Sequence, residues 1–181
     1  MRIIAGKYRG KKLKSPLTDK IRPTADRARE AVFNILNARL NQNWQDYALL
    51  EIFAGTGAFG LEALSRGVKK ICQIDIDTRT AAANAALFPE EKSRIKLLRA
   101  DAAKLGFSAE KFNLLFMDAP YNQGLSEKAL TAAAAGGWLE PGALCLVEVE
   151  KKEQIAVPEN YDLLEERIYG LAKILFLKFK G

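Results

Sequence analysis

From Ala48 onward, strand-sized apolar runs alternate with stretches whose apolar residues recur at helical spacing. Strands are predicted at 48–53, 70–75, 95–99, 112–118 and 143–149, with helices at 58–66, 78–87 and 124–135. That βαβ rhythm predicts a mostly parallel sheet covered on both faces, a doubly wound α/β fold. The end of the chain breaks the rhythm. Residues 161–169 and 172–179 are two strand-like runs separated by Gly170, which predicts a terminal antiparallel hairpin and brings the sheet to seven strands. The beginning differs as well. Residues 2–14 set Ile3, Tyr8 and Leu13 among Gly6, Gly10 and lysines, which predicts a short basic β-hairpin. Thr24 is then placed to cap a helix, Asp26 suits its first turn, and Ala28, Ala31, Val32, Ile35, Leu36 and Leu40 keep helical spacing. Residues 1–40 are therefore expected to form a basic extension, not an independent domain, ahead of a main domain over 41–181.

Composition narrows the classes. A chain of 181 residues, 49% hydrophobic and 28% charged, suits one soluble globular domain. Its apolar runs are too short to span a bilayer, and Met1 to Lys7 lack a signal-like apolar core, so a cytoplasmic location is expected. Cys72 and Cys145 sit inside apolar runs and read as small buried side chains, not as a disulfide or metal ligands. The absence of histidine removes the commonest neutral-pH base and metal ligand, which leaves carboxylates, tyrosine, lysine and backbone groups for any chemistry. No metal is expected. The net charge of +6 is concentrated in residues 1–40, which carry 11 Lys/Arg against 3 Asp/Glu. Such a block suits a polyanion, the plain alternative being a solvated basic face.

The first strand leads into Gly55-Thr56-Gly57-Ala58-Phe59-Gly60, a G-x-G-x-x-G opening a helix. Glycines there allow close backbone approach, and the helix N-terminus points amides at a ligand. Asp75 ends the second strand, 20 positions after Gly55, where its carboxylate would accept both ribose hydroxyls of an adenosine. The pair specifies a nucleoside cofactor without separating a dinucleotide from S-adenosylmethionine. Glu51 favours the latter, since a carboxylate would pair with a methionine amino group but repel a pyrophosphate, unless it serves an ion pair with a lysine. Asp101-Ala102, after the third strand, would either meet the adenine amino group or cap the next short helix. With Phe53, Thr56 and Ile76 alongside, these residues make up the expected cofactor site.

The fourth strand delivers Asp118-Ala119-Pro120-Tyr121 at its carboxyl end, beside the cofactor crevice of such a fold. An exocyclic base amine is a poor nucleophile because its lone pair is delocalised into the ring. Asp118 and the Ala119 carbonyl would accept its two hydrogens and favour a pyramidal nitrogen. Pro120 biases Ala119 toward an extended backbone, and Tyr121 would stack on the base. Alone, the tetrapeptide reads equally as a strand-ending turn with a capping aspartate. The glycine loop and Asp75 tip the balance.

The segments Arg2-Ile3-Ile4-Ala5-Gly6-Lys7-Tyr8-Arg9-Gly10 and Arg22-Pro23-Thr24-Ala25-Asp26-Arg27-Ala28-Arg29-Glu30 are rarer than any glycine loop. With Phe53-Ala54-Gly55-Thr56-Gly57 and Gly60-Leu61-Glu62-Ala63-Leu64-Ser65-Arg66-Gly67, the chain resembles the bacterial 16S ribosomal RNA guanine-N2 methyltransferases of the RsmD type over nearly its whole length. The resemblance implies a Rossmann-like methyltransferase fold and transfer of a methyl group from S-adenosylmethionine to the 2-amino group of one guanine. The substrate it implies is 16S ribosomal RNA in a small-subunit assembly particle; the oligomeric state stays open, a monomer being favoured. It assigns Arg2, Lys7, Arg9, Lys11, Lys12, Arg22, Arg27 and Arg29 to RNA contact or closure over the donor. The family pattern usually has aspartate at Glu51, glutamate at Asp75 and proline at Ala119. The first two keep a carboxylate, whereas Ala119 loses a ring that stiffens the loop. The residues alone leave open adenine-N6 methylation of DNA or RNA, a nicotinamide dehydrogenase, and a non-catalytic RNA-binding assembly factor.

Overall fold

The structure, a computed structural model, describes residues 1–15 and 23–181, with the backbone alone over 23–28. Helix α1 (Pro23–Arg39) precedes β1 (Ala48–Ile52), α2 (Ala58–Arg66), β2 (Lys70–Asp75), α3 (Arg79–Ala85) and β3 (Ile95–Arg99). Then come β4 (Phe112–Asp118), α4 (Leu125–Ala135), β5 (Leu139–Glu150), β6 (Tyr161–Tyr169) and β7 (Ala172–Phe179). The expected doubly wound, seven-stranded sheet forms in the order β3-β2-β1-β4-β5-β7-β6. Strands β1 to β5 pair in parallel, and the terminal hairpin joins antiparallel through β7. The chain runs outward from β1 through β2 to β3, then returns to place β4 on the other side of β1. Crossovers leave the sheet in opposite directions at that point, so a crevice opens beyond the carboxyl ends of β1 and β4.

Alternation along the strands assigns each residue to one of two apolar layers. Leu50, Ile52, Leu115, Met117 and Val147 face α4, where Ala129, Leu130 and Ala133 pack. Leu49, Ile71, Leu114, Phe116 and Leu146 face α1 and α2, meeting Val32, Phe33, Leu36, Phe59 and Leu61. Cys72 and Cys145 are buried within β2 and β5. The same alternation puts Glu51, Asp118 and Glu148 on the α1/α2 face, because each lies two residues from an apolar residue of that layer.

Several boundaries differ from expectation, among them α3, which spans only Arg79–Ala85, and three have a clear local reason. β1 stops at Ile52 because Phe53 turns into the left-handed region at φ +59°. β5 begins at Leu139, ahead of the predicted 143, because Glu140 to Ala143 are absorbed by a register shift between Phe112 and Leu114 of β4. The expected basic hairpin forms, its arms joined by the Arg2–Lys12 bridge and by backbone hydrogen bonds from the amides of Ile3, Gly10 and Leu13 to the carbonyls of Lys11, Ile3 and Met1, but it is too short for a regular ladder, and Thr24 already lies inside the first turn of α1.

The hairpin stays short because its bend, Ile4 to Tyr8, gives its amides to α2. The buried Glu62 carboxylate accepts the amides of Ile4 (2.6 Å) and Ala5 (3.0 Å) and the Arg66 Nε at 2.9 Å. Ser65 accepts the Lys7 amide on its carbonyl and the Tyr8 amide on its hydroxyl. Gly6 makes the approach possible: at φ +81°, a Cβ there would meet the Ser65 carbonyl oxygen at 2.0 Å.

A second buried polar group fixes the glycine loop. Glu51, 2% exposed, accepts the Gly60 amide at 3.0 Å and the Gln73 Nε2 at 2.6 Å. Gln73 Nε2 also donates to the Gly57 carbonyl. A Cβ on Gly60 would meet Glu51 Oε2 at 2.5 Å, so this glycine is required by the neighbouring carboxylate and not by its own backbone angle. Burial pushes the Glu51 pKa up to about 7, against the hydrogen bonds from Gln73 and the Gly60 amide that pull it down.

Two predictions concern these anchors. Glu62→Ala strands two amide donors and should destabilise the fold by about 2–3 kcal/mol, or about 4–12 °C in Tm, while Arg66→Ala costs under about 1 kcal/mol. Equal losses for the two variants in denaturant titrations would refute the docking role of Glu62. A carboxyl whose folded pKa exceeds its unfolded one holds its proton more tightly when folded. The contribution of Glu51 is therefore full below about pH 4.5 and is lost as pH rises through about 7. Glu51→Gln should remove a fall in stability of about 3 kcal/mol across that window, read as the difference between the two proteins' pH–stability curves.

Candidate active site

The crevice holds a cavity of about 700 Å³, within the range of small-molecule sites. Its wall combines Phe53, Asp75, Ile76, Asp101 and Ala102 with Asp118, Ala119, Pro120 and Tyr121. The expected adenosine-binding residues and the expected catalytic loop thus share one space. Asp75 holds the rim in shape, accepting the Gly55 amide at 2.8 Å and the Asp77 amide at 3.0 Å. Each of its oxygens keeps a further lone pair for a ligand. Asp101 caps the short 3-10 turn Ala102–Lys104, accepting the Ala103 amide at 2.9 Å, and still lines the cavity. Ile76 is 68% exposed at its mouth. Gly55 and Gly57 carry positive φ angles in the loop above β1, and Phe53 joins them. For an aromatic residue that conformation costs about 1–2 kcal/mol, a strain of the kind held at ligand-facing turns.

A second cavity, about 200 Å³, lies on the α1/α2 side. It is lined by Glu51, Phe53, Thr56, Phe59, Phe116, Glu148 and Arg29, and shares Asp118 with the first. Phe59 stacks on Phe116 at 3.6 Å between ring centroids. Asp118 is the direct register partner of Glu148 in the parallel β4–β5 pair, so two carboxylates stand side by side. Their surroundings raise both. Asp118 is held well above the ordinary carboxylate range by desolvation, then by the charges of Glu148 and Glu51. Glu148 is raised by burial and partly relieved by a hydrogen bond from the Tyr121 hydroxyl at 3.1 Å. Tyr121 is raised by burial and by both carboxylates, and so stays a phenol that donates.

Glu148 was not among the residues expected from sequence. Its signal was present in the Val147-Glu148-Val149-Glu150 ending of β5, but its significance depends on the register with β4.

The expected RNA contacts divide. Arg2, Arg9 and Lys12 are exposed. Lys7 is exposed as well, with its Nζ paired to Glu91 at 3.0 Å, and half-buried Lys11 donates from Nζ to the Leu87 carbonyl. Arg29 lies against the second cavity and donates to the Arg2 carbonyl at 2.8 Å. Arg22 and the Arg27 side chain lie outside the described residues. The arm also reaches the glycine loop: buried Asn84 accepts the Lys14 amide at 2.7 Å and donates to the carbonyls of Lys14 and Thr56.

Known proteins resemble the chain in sequence and in fold. The family described as Conserved hypothetical protein 95 matches residues 1–178. Ribosomal RNA small subunit methyltransferase D of Haemophilus influenzae is 34% identical, the match covering 94% of this chain and 90% of that protein. The Escherichia coli protein of the same name is 35% identical, over 94% and 85%. Among solved structures, yhhF from Escherichia coli superposes with a TM-score of 0.80 at 32% identity, covering 100% of this chain and 98% of the other. HI0767 from Haemophilus influenzae gives 0.75 at 30% identity, over 99% and 98%. Matched along almost its whole length at these identities, the chain belongs to the Conserved hypothetical protein 95 family, that of the ribosomal RNA small subunit methyltransferases D.

Proposed function

We propose that the chain transfers a methyl group from S-adenosylmethionine to the N2 amine of a guanine in small-subunit ribosomal RNA, presented in a partly assembled particle. One observation carries the reading: Asp118 to Tyr121 line the same cavity as Asp75, Ile76, Asp101 and Ala102. The names of the relatives support ribosomal RNA as the substrate. The residues fit the donor: Asp75 suits ribose hydroxyls, exposed Ile76 suits a flat ring face, and Asp101 keeps an acceptor beside Ala102. Glu51 lies behind the glycine loop, and a cationic amino group beside it would draw off the proton that burial favours.

Bound S-adenosylmethionine supplies an electrophilic methyl group on a cationic sulfur. The protein's own part is positioning. Asp118 accepts one N2 hydrogen and the Ala119 carbonyl the other, turning the nitrogen lone pair toward the donor side of the cavity. Tyr121 stacks on the base, its ring set by the hydrogen bond to Glu148. A carboxylate with a raised pKa is a stronger base, which suits Asp118 to take the proton released from nitrogen.

Asp118→Ala should lower kcat at least about 100-fold while S-adenosylmethionine affinity, read by calorimetry, changes less than about threefold. A tenfold loss of donor affinity would place Asp118 in the donor site instead, and no donor binding by the unaltered protein would overturn the reading. Replacing Arg2, Arg9 and Lys12 together by glutamine should flatten the salt dependence of RNA binding, by about one unit of slope for each phosphate that is no longer neutralised. An unchanged slope would move the RNA surface elsewhere.

A further inference from the structure

The reading above gives Asp118 and Ala119 the target amine but leaves Glu148 with no role beyond its bond to Tyr121. Glu148 Oε1 accepts the Tyr121 hydroxyl at 3.1 Å, while Oε2 accepts nothing among the described residues. The side chain lines the second cavity next to Asp118, its register partner. That cavity, about 200 Å³, is smaller than the roughly 300–1,000 Å³ of a typical ligand pocket and admits the edge of a base instead of a whole nucleoside. Three carboxylates, Glu51, Asp118 and Glu148, belong to its lining, together with Arg29 and the N-terminal residue Met1. Arg29 already donates to the Arg2 carbonyl. A carboxylate has only acceptors to offer.

Bases differ at that edge. Guanine presents the N1–H donor directly beside its N2 amine, so one edge carries donors for two neighbouring acceptors. Adenine and 2-aminopurine present an acceptor at N1, which a carboxylate repels. We propose that Glu148 reads the base: its free Oε2 accepts the N1–H of the target guanine while Asp118 and Ala119 hold the N2 amine. This rests on the guanine-N2 reading and makes Glu148 a specificity-determining residue. Mispairing at a desolvated polar contact is where such a site discriminates most.

The test uses the full-length protein and small-subunit particles reconstituted from RNA carrying either guanine or 2-aminopurine at the target position. Both bases carry the 2-amino group. The unaltered protein should methylate guanine about 10- to 100-fold more efficiently, in kcat/KM, than 2-aminopurine. Glu148→Gln keeps an acceptor for Tyr121 and gains an amide donor for N1, so its guanine-to-2-aminopurine ratio should fall at least tenfold. A general loss of structure would lower both substrates together and leave that ratio unmoved. Discrimination below about threefold by the unaltered protein, or an unchanged ratio in Glu148→Gln, overturns the proposal while leaving the guanine-N2 reading intact. Absence of guanine methylation by the unaltered protein overturns that reading and the proposal with it.

Discussion

The site depends on one buried carboxylate. Glu51 ties β1 to the first turn of α2 through the Gly60 amide and to β2 through Gln73. A charge in that layer is expensive, and its raised pKa records the cost. What it secures is the path of the glycine loop, since the Gly57 carbonyl and Gly60 amide are both held within the same network. Phe53, forced into a left-handed turn just beyond Ile52, opens onto both cavities because this network fixes the chain on either side of it. The third glycine of the motif is thereby explained by volume, in a way the motif's usual description as a phosphate cradle does not require.

The second organising contact is the arm. Glu62 and Ser65 receive its backbone on the outer side of α2, while Asn84 joins Lys14 to the Thr56 carbonyl of the loop. The segment expected to meet RNA and the loop expected to meet the donor are therefore parts of one hydrogen-bonded assembly. Its apolar residues Ile3 and Leu13 are buried with the α1/α2 layer. Residues 1–15 thus contribute to the same core as the sheet.

Much of this was legible in the residues. Among the described residues, the strand-sized apolar runs and helical spacing located the strands and helices, most clearly for β1, β4, β5 and β7 and for α1 and α2, which bury apolar faces. The loop from Asp118 to Tyr121 was legible because its chemistry is local. The missed residues act across sequence distance. Glu148 gains meaning only through the β4–β5 register, and Gln73 looks like an ordinary polar interruption of β2 until Glu51 is placed opposite. Glu62 occupies a helix where a carboxylate usually faces water, and only the docked arm explains its burial. The alternation in 2–14 reports the hairpin and the burial of Ile3 and Leu13, but not that the amides of its bend go to Glu62 and Ser65 of α2. Lys7 and Lys11 count as cations in any charge tally, yet Glu91 and the Leu87 carbonyl claim their ammonium groups.

The arm is gripped by its main chain. Glu62 takes the amides of Ile4 and Ala5, and Ser65 those of Lys7 and Tyr8, so this part of the grip requires only Gly6, while Tyr8 adds an edge contact with Phe88 and a hydrogen bond to Glu91. Natural variation can therefore retune the outward-facing cations without loosening the attachment. The route of the arm is inherited with α2, while the surface it displays is free to follow the contours of a changing partner.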